Sequence, residues 1–310
     1  MASSIEKVLA DASRLSLFSL MEIALKEKIK YRGYNFSLCT ISNVKSGGCS
    51  ENCAFCAQSS WHKAKVPTYP LKSQEIILNE ARAAKEAGAT HFSLVASGRG
   101  VKAKDIDKYC YIVKRIVDEI GIKCCASLGI LEKDAIKALY DAGLTRYHHN
   151  LETNRDFFSK ICTTHTWDER VKTIENAKEV GLEVCSGGII GLGEDMKDRI
   201  DLSISLRDLE VDSCPINILV PIKGTPLENT PPLSVQEILK TIALFRLALP
   251  SIAIRIAGGR EKSLGDLQPF YFLYGADAML IGGYLTVRGR SVSDDIDMVN
   301  KIIEFWSKIF

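Results

Sequence analysis

The stretch Gly47-Gly48-Cys49-Ser50-Glu51-Asn52-Cys53-Ala54-Phe55-Cys56-Ala57-Gln58 decides how this chain is read. Three cysteines stand at C-x3-C-x2-C spacing behind two glycines, with an aromatic directly before the third. Three thiolates on so short a loop can hold three irons of a four-iron, four-sulfur cube and leave the fourth iron without a protein ligand. An open iron is a place for chemistry, whereas a closed cluster only carries electrons. A zinc knuckle completed by His62 is the competing use of the same thiols. Position favours iron, because the loop follows a β-rich segment, 37–44 (SLCTISNV), directly.

Downstream of the loop, Ser73 caps a helix that runs to about residue 87. From there one unit recurs: a helix, a glycine at its C-terminus, and a short apolar strand. The glycines are Gly88, Gly121, Gly143, Gly181 and Gly275, each placed to end a helix in a left-handed turn. Strands are expected at 37–44, 91–96, 123–128, 146–150, 183–187, 214–220, 252–257 and 278–282. Eight strands alternating with helices predict a (β/α)8 TIM barrel. Residues 1–36 form a short helical N-terminal extension. No Pro-, Gly- or Ser-rich linker interrupts the run, so 1–310 reads as a single barrel domain.

Composition excludes several classes. Hydrophobic residues at 46% and charged residues at 25% are ordinary for a globular chain with a large core. A net charge of +2 argues against a nucleic-acid surface, and no apolar run approaches a membrane span. The first residues read as an amphipathic helix instead of a signal peptide, which predicts a cytoplasmic protein. Ten cysteines in that compartment are not a disulfide framework; clustered ones suggest metal or catalysis.

Active-site residues of such a barrel come from the C-terminal ends of its strands. The polar residues inside the apolar strands are Cys39, Asn43, Ser93, Cys125, His148, Asn150, Cys185, Asn217 and Arg255. Polar groups sealed in a barrel cost several kcal/mol each unless paired, so this many is hard to explain as packing. Alternation sends Cys124 and Cys125 to opposite faces, with Cys124 toward a helix. Cys110, Cys162 and Cys214 read as packing or incidental thiols, and His148 and His149 as strand residues without an assigned role. Taken singly, Cys39, Cys125 and Cys185 would be small core residues too.

With these residues in view, the loop resembles the cluster motif of radical S-adenosylmethionine (SAM) enzymes. The chain from about 37 to 283 resembles the biotin synthase family. Five signatures carry the likeness: GGCSENCAFCAQSS (47–60), YHHNLET (147–153), VCSGGIIGLGE (184–194), PINILVPIKGTPL (215–227) and RIAGGRE (255–261). The resemblance implies that Cys49, Cys53 and Cys56 hold a [4Fe-4S] cluster whose open iron binds SAM. One electron then cleaves SAM to methionine and a 5′-deoxyadenosyl radical, which takes hydrogens from dethiobiotin so that sulfur can close the ring of biotin. It further implies that Phe55, Glu152, Arg170 and Ile190 contact SAM, with Gly187 and Gly188 letting backbone approach the cofactor. Glu152 replaces the Asp common in the family. Asn150 and Asn217 would hydrogen-bond the ureido ring of dethiobiotin, since an amide both donates and accepts. No side chain is cast as a general acid or base.

The family also carries a second, sulfur-donating cluster, held by cysteines on the second, third and fifth strands and an arginine on the seventh. Cys125, Cys185 and Arg255 match that pattern, but the second strand offers Ser93. The missing thiolate reappears as Cys39 on the first strand. With the ligand set rearranged, a four-iron form carrying an extra sulfide is preferred over a [2Fe-2S] form, because arginine stays protonated and is a poor ligand. The likeness further implies reduced flavodoxin or ferredoxin as electron donor and a homodimer. The rival functions are another radical SAM barrel, of the hydrogenase-maturation or methylornithine-forming type, and a structural metal module.

Overall fold

Nine parallel strands build the sheet: β1 (Ser37–Lys45), β2 (His91–Ala96), β3 (Lys123–Ser127), β4 (Arg146–His148), β5 (Glu183–Cys185), β6 (Gly188–Ile190), β7 (Ser213–Ile218), β8 (Ala253–Ile256) and β9 (Ala278–Leu280). The computed structural model describes residues 4–34, 36–283 and 289–309. Pairing runs from β1 through β2, β3 and β4 to β5, crosses to β7 where Cys185 stands opposite Ser213, and returns through β8 and β9 to β1. That circuit has eight members, a closed (β/α)8 barrel. β6 continues the line of β5 and pairs with β7.

Helices separate successive strands: Gln74–Glu86, Ile106–Arg115, Lys133–Asp141, Trp167–Val180, Met196–Asp208, Val235–Ala248 and, between β8 and β9, Phe270–Leu273. Strand alternation explains the layering. Phe92, Leu94, Cys124, Ala126, Tyr147, Val184, Cys214, Ile216, Ile254 and Met279 face the helices and form the main core with them. Each large aliphatic or aromatic chain buried there stabilises the fold by about 1.5–3 kcal/mol. That outer layer holds the barrel together, which leaves the interior able to carry polar groups.

The N-terminal extension is two helices, Ser4–Ala12 and Leu17–Arg32. Ser16 caps the second by accepting the Ser19 N–H at 3.1 Å, and Leu20, Ala24 and Lys28 form its buried face. Arg32 at its end reaches Asp277, just before β9, at 2.5 Å. Residues 1–3 and 35 of the expected extension, and 284–288 and 310 of the expected domain, lie outside the described residues.

The fifth strand departs from expectation. Read as one strand over 183–187, it breaks after Cys185 and resumes at Gly188. A Cβ on Gly187 would lie 1.9 Å from the Pro215 oxygen, and one on Gly188 2.4 Å from the Glu152 oxygen. The N–H groups of Leu151 and Glu152 both donate to the Gly187 carbonyl, at 3.0 and 3.2 Å. These glycines therefore let the end of the fourth strand cross against the fifth. Backbone packing by itself requires glycine at both positions. The fourth strand likewise stops at His148, so Asn150 and Glu152 stand in the turn above it.

Candidate active site

The cysteine loop leaves β1 and is folded by its own polar residues. Gln58 Oε1 accepts from Ser46 Oγ at 3.1 Å and from Gly47 N–H at 3.0 Å. Cys49 N–H donates to the Gln58 carbonyl at 3.0 Å, and Cys56 N–H to the Cys53 carbonyl at 2.9 Å. Cys49 and Cys53 are buried, while Cys56 opens on the barrel cavity. Burial pushes the Cys56 thiol up to about 11, with Cys49 and Glu152 adding to the effect. Such thiols ionise when a metal displaces their protons, which fits three ligands to an iron cluster. His62 is turned elsewhere, its Nε2 lying 3.0 Å from the Cys53 carbonyl oxygen.

Sequence reasoning missed two neighbours of this loop. Cys162, read as incidental, places its Sγ 3.7 Å from Cys53 Sγ. Glu51 accepts from His165 Nδ1 at 2.5 Å, and hydrogen bonds from Thr164, His165 and Ser50 hold its carboxyl low although burial opposes them. The Cys53 thiol is pushed up by its contact with Cys162 and by burial, and Cys162 is drawn down by the same contact. The signal in the sequence was the spacing Cys162-x2-His165 at the end of helix Arg155–Ile161.

Within the barrel, Cys39, Cys125, Cys185 and Arg255 line one cavity of about 360 Å³. Burial pushes Cys39 up and takes Cys125 to about 12. Cys185 moves the other way, to about 6: burial raises it, but the charge and hydrogen bond of His148, then Arg255 and Arg146, outweigh that. His148 thus faces the cysteines in spite of the absence of any role expected for it. Arg255 Nη1 donates to Ser213 Oγ at 2.7 Å and to Cys185 Sγ at 3.5 Å. Its Nε is buried without a partner, as is His91 Nε2. An unpaired buried donor costs about 1–3 kcal/mol, so the Arg255 Nε–H fits an acceptor-rich group such as a sulfide cluster held by the three thiols. Burial, then Arg146 and Arg255, takes His91 down to about 3, so its ring is neutral.

The same cavity is lined by Phe55, Asn150, Glu152 and Asn217 nearer the C-terminal mouth. Asn150 Oδ1 accepts from Gly187 N–H at 3.2 Å, and its Nδ2 donates to Glu152 Oε2 at 3.3 Å. Glu152 has φ +70°, a left-handed conformation costly for a side-chain-bearing residue and frequent at functional sites. Arg170 stands behind it: Nη1 is 3.9 Å from Glu152 Oε1 and donates to the Asn150 carbonyl at 2.7 Å. Ile190 is not brought to the cavity. Along β6 the alternation turns Ile189 inward, opposite Asn217, and packs Ile190 into the main core. Asn43, Cys110, Cys124 and Cys214 also lie off the cavity.

Two family models match the chain: the Radical SAM superfamily over residues 43–203 and the Biotin and Thiamin Synthesis associated domain over 215–302. A biotin synthase of Pelotomaculum thermopropionicum is 50% identical over 289 residues, covering 93% of this chain and 89% of that one. One of Thermotoga neapolitana is 52% identical over 274 residues, covering 88% and 98%. Among solved structures, methylornithine synthase superposes with a TM-score of 0.84 at 20% identity, over 98% of this chain and 96% of that one. An FeFe-hydrogenase maturase of Carboxydothermus hydrogenoformans gives 0.79 at 20%, over 96% and 77%. Those two likenesses speak for the barrel alone. Half identity over about nine-tenths of the chain says more: this chain belongs to the biotin synthase family of radical SAM enzymes.

Proposed function

We propose that this chain inserts sulfur between two carbons of dethiobiotin to form biotin, using a [4Fe-4S] cluster with SAM at the mouth of the cavity and sulfur stored at its floor. One observation supports this above the rest. A single cavity joins Cys56 and Phe55 to Asn150 and Asn217, and these to Cys39, Cys125 and Cys185. When bound, the four-iron cluster supplies one electron to SAM and so the radical chemistry that opens unactivated C–H bonds. The chain's own residues do the positioning. Cys49, Cys53 and Cys56 hold the cluster, Glu152 accepts hydrogen bonds from SAM, and Arg170 steadies Glu152 and the Asn150 carbonyl. Phe55 packs the adenine, with Ile189 in the place first expected of Ile190. Asn150 and Asn217 orient the ureido ring. The closed interior keeps water and oxygen from reactive species.

Cys39, Cys125, Cys185 and Arg255 hold the sulfur source, in a four-iron form with an extra sulfide. Iron and sulfide analysis of the C49A/C53A/C56A chain then finds about four irons in the remaining site; two would sink that form. One barrel unit over 1–310 belongs to the same proposal, supported by pairing of β6 with β7 across the two matched segments. So do a flavodoxin or ferredoxin donor, a homodimer and a cytoplasmic location. Among the described residues no helix is long and apolar enough to cross a membrane. Anaerobic incubation of the dithionite-reduced protein with SAM and dethiobiotin yields deoxyadenosine and biotin together. Deoxyadenosine without biotin would overturn the assignment in favour of another radical SAM reaction.

A further inference from the structure

Beside the cluster loop, Cys53, Cys162 and His165 bring three potential metal ligands within 4.8 Å of one another, all buried. The spacing matches a mononuclear site. Two thiolates on zinc bonds of roughly 2.3 Å in a tetrahedron lie about 3.8 Å apart, and Cys53 Sγ is 3.7 Å from Cys162 Sγ. Cys162 Sγ is 3.3 Å from His165 Nδ1 and 3.8 Å from Nε2.

The hydrogen bonds around His165 choose between its nitrogens. Arg170 Nε, which can only donate, is 3.1 Å from Nε2, so Nε2 carries the lone pair. Nδ1 therefore carries the proton and gives it to Glu51 Oε2 at 2.5 Å. A carboxylate that accepts the far N–H of an imidazole and leaves the other nitrogen free is the usual support of a metal-bound histidine.

We infer that the chain without its iron cluster binds one divalent transition-metal ion, of the zinc or ferrous class, through Cys53, Cys162 and His165 Nε2, with Glu51 orienting the imidazole. Two thiol protons leave to water, so two thiolates neutralise the ion and a water completes four ligands. No net charge is then buried. Binding has two consequences for the reaction. It takes Cys53 from the three-thiol set, and it displaces the Arg170 N–H from His165. The site is thus exclusive with the four-iron cluster. That exclusivity rests on Cys53 being a cluster ligand, whereas the site itself does not.

The test uses the full-length chain stripped of iron and carrying Cys49→Ala, Cys56→Ala and Cys125→Ala, so that neither the loop nor the barrel floor keeps three thiols. One equivalent of cobalt(II) should give thiolate-to-cobalt charge transfer and the visible bands of four-coordination. Adding Cys162→Ser should weaken binding at least about tenfold and remove close to half of the charge-transfer band. An unchanged titration would overturn the site. The unsubstituted, iron-free chain gives a second measurement that needs no variant to fold. Zinc should protect Cys53 and Cys162 from alkylation, mapped by mass spectrometry, more than it protects Cys49. Equal reactivity of Cys162 with and without zinc would overturn the site as well. Preloaded zinc should also slow four-iron reconstitution; if it does not while cobalt still binds, only the exclusivity fails.

Discussion

Asn217 and Gly258 are joined by a 3.0 Å hydrogen bond in which the side-chain oxygen accepts the backbone N–H. Because Gly258 N–H can only donate, the orientation of the amide is fixed by this bond. Its nitrogen donates in turn to the Gly188 carbonyl at 3.3 Å. One side chain thus ties β7 to the end of β8 and the start of β6, while one N–H and one lone pair remain for the cavity.

That division of labour makes a prediction for Asn217→Ala. One or two hydrogen bonds to dethiobiotin are worth about 1 kcal/mol each, so its KM should rise roughly five- to thirtyfold. SAM cleavage in the absence of dethiobiotin should stay within about threefold of the parent. Steady-state assays of biotin and deoxyadenosine check this. A loss of SAM cleavage equal to the loss of biotin would mean that Asn217 serves only the strand ends.

A buried ion pair fixes the turn above β6. Glu194 accepts from Gly191 and Leu192 N–H at 2.7 and 2.6 Å and from Arg199 Nε at 2.6 Å. Both side chains are 2% exposed. Removing one partner leaves a buried charge alone, which costs about 3–5 kcal/mol. Arg199→Met should therefore lower stability by that order, read from denaturant midpoints of the iron-free chain. Arg199→Met combined with Glu194→Gln should recover part of the loss. A double variant no better than the single one would refute the pair as the cause.

The barrel was legible because helix, glycine and apolar strand repeat through most of the chain, and the cavity cysteines were legible because alternation turns Cys125 inward and Cys124 outward. What the sequence hid has physical reasons. The crowding at Gly187 and Gly188 depends on the Pro215 and Glu152 oxygens, which come from segments distant in sequence and lie where side chains would be. Ile189 and Ile190 are chemically alike, so only the register with Asn217 separates cavity from core. Cys162 is far from Cys53 in sequence and meets it through the end of helix Arg155–Ile161. His148 gains meaning from its neighbour Cys185 one strand over.

Lys28 is fully buried on the extension, and burial, with Arg246 and Arg32 adding, brings its ammonium down to about 7 although Asp277 opposes this. The unfolded chain keeps a lysine near 10.5, so between about 7 and 10.5 it binds more protons than the folded chain. The cost to stability is full below about pH 7 and fades as pH rises toward 10.5. Lys28→Met should accordingly stabilise the iron-free chain by a few kcal/mol, on the order of the pKa displacement, at pH 6.5 and by much less at pH 10. Denaturant midpoints at the two pH values decide the matter, and an equal gain at both would rule out the titration.

His148 is the largest influence that lowers the Cys185 thiol against its burial, ahead of Arg255 and Arg146. In the iron-free chain Cys185 should therefore be a thiolate above about pH 6 and a thiol below it, whereas Cys125 stays protonated up to about 12. His148→Gln removes the leading cause and leaves the arginines. The half-point of Cys185 alkylation by a small neutral reagent should then climb from about 6 toward the ordinary thiol range near 8.5. Burial would carry it no lower, so the direction of the change is fixed. Residue-resolved mass spectrometry across pH 5–9 reads the shift. A half-point that stays near 6 in His148→Gln would transfer the role to Arg255, and Arg255→Met would then be the variant that raises it.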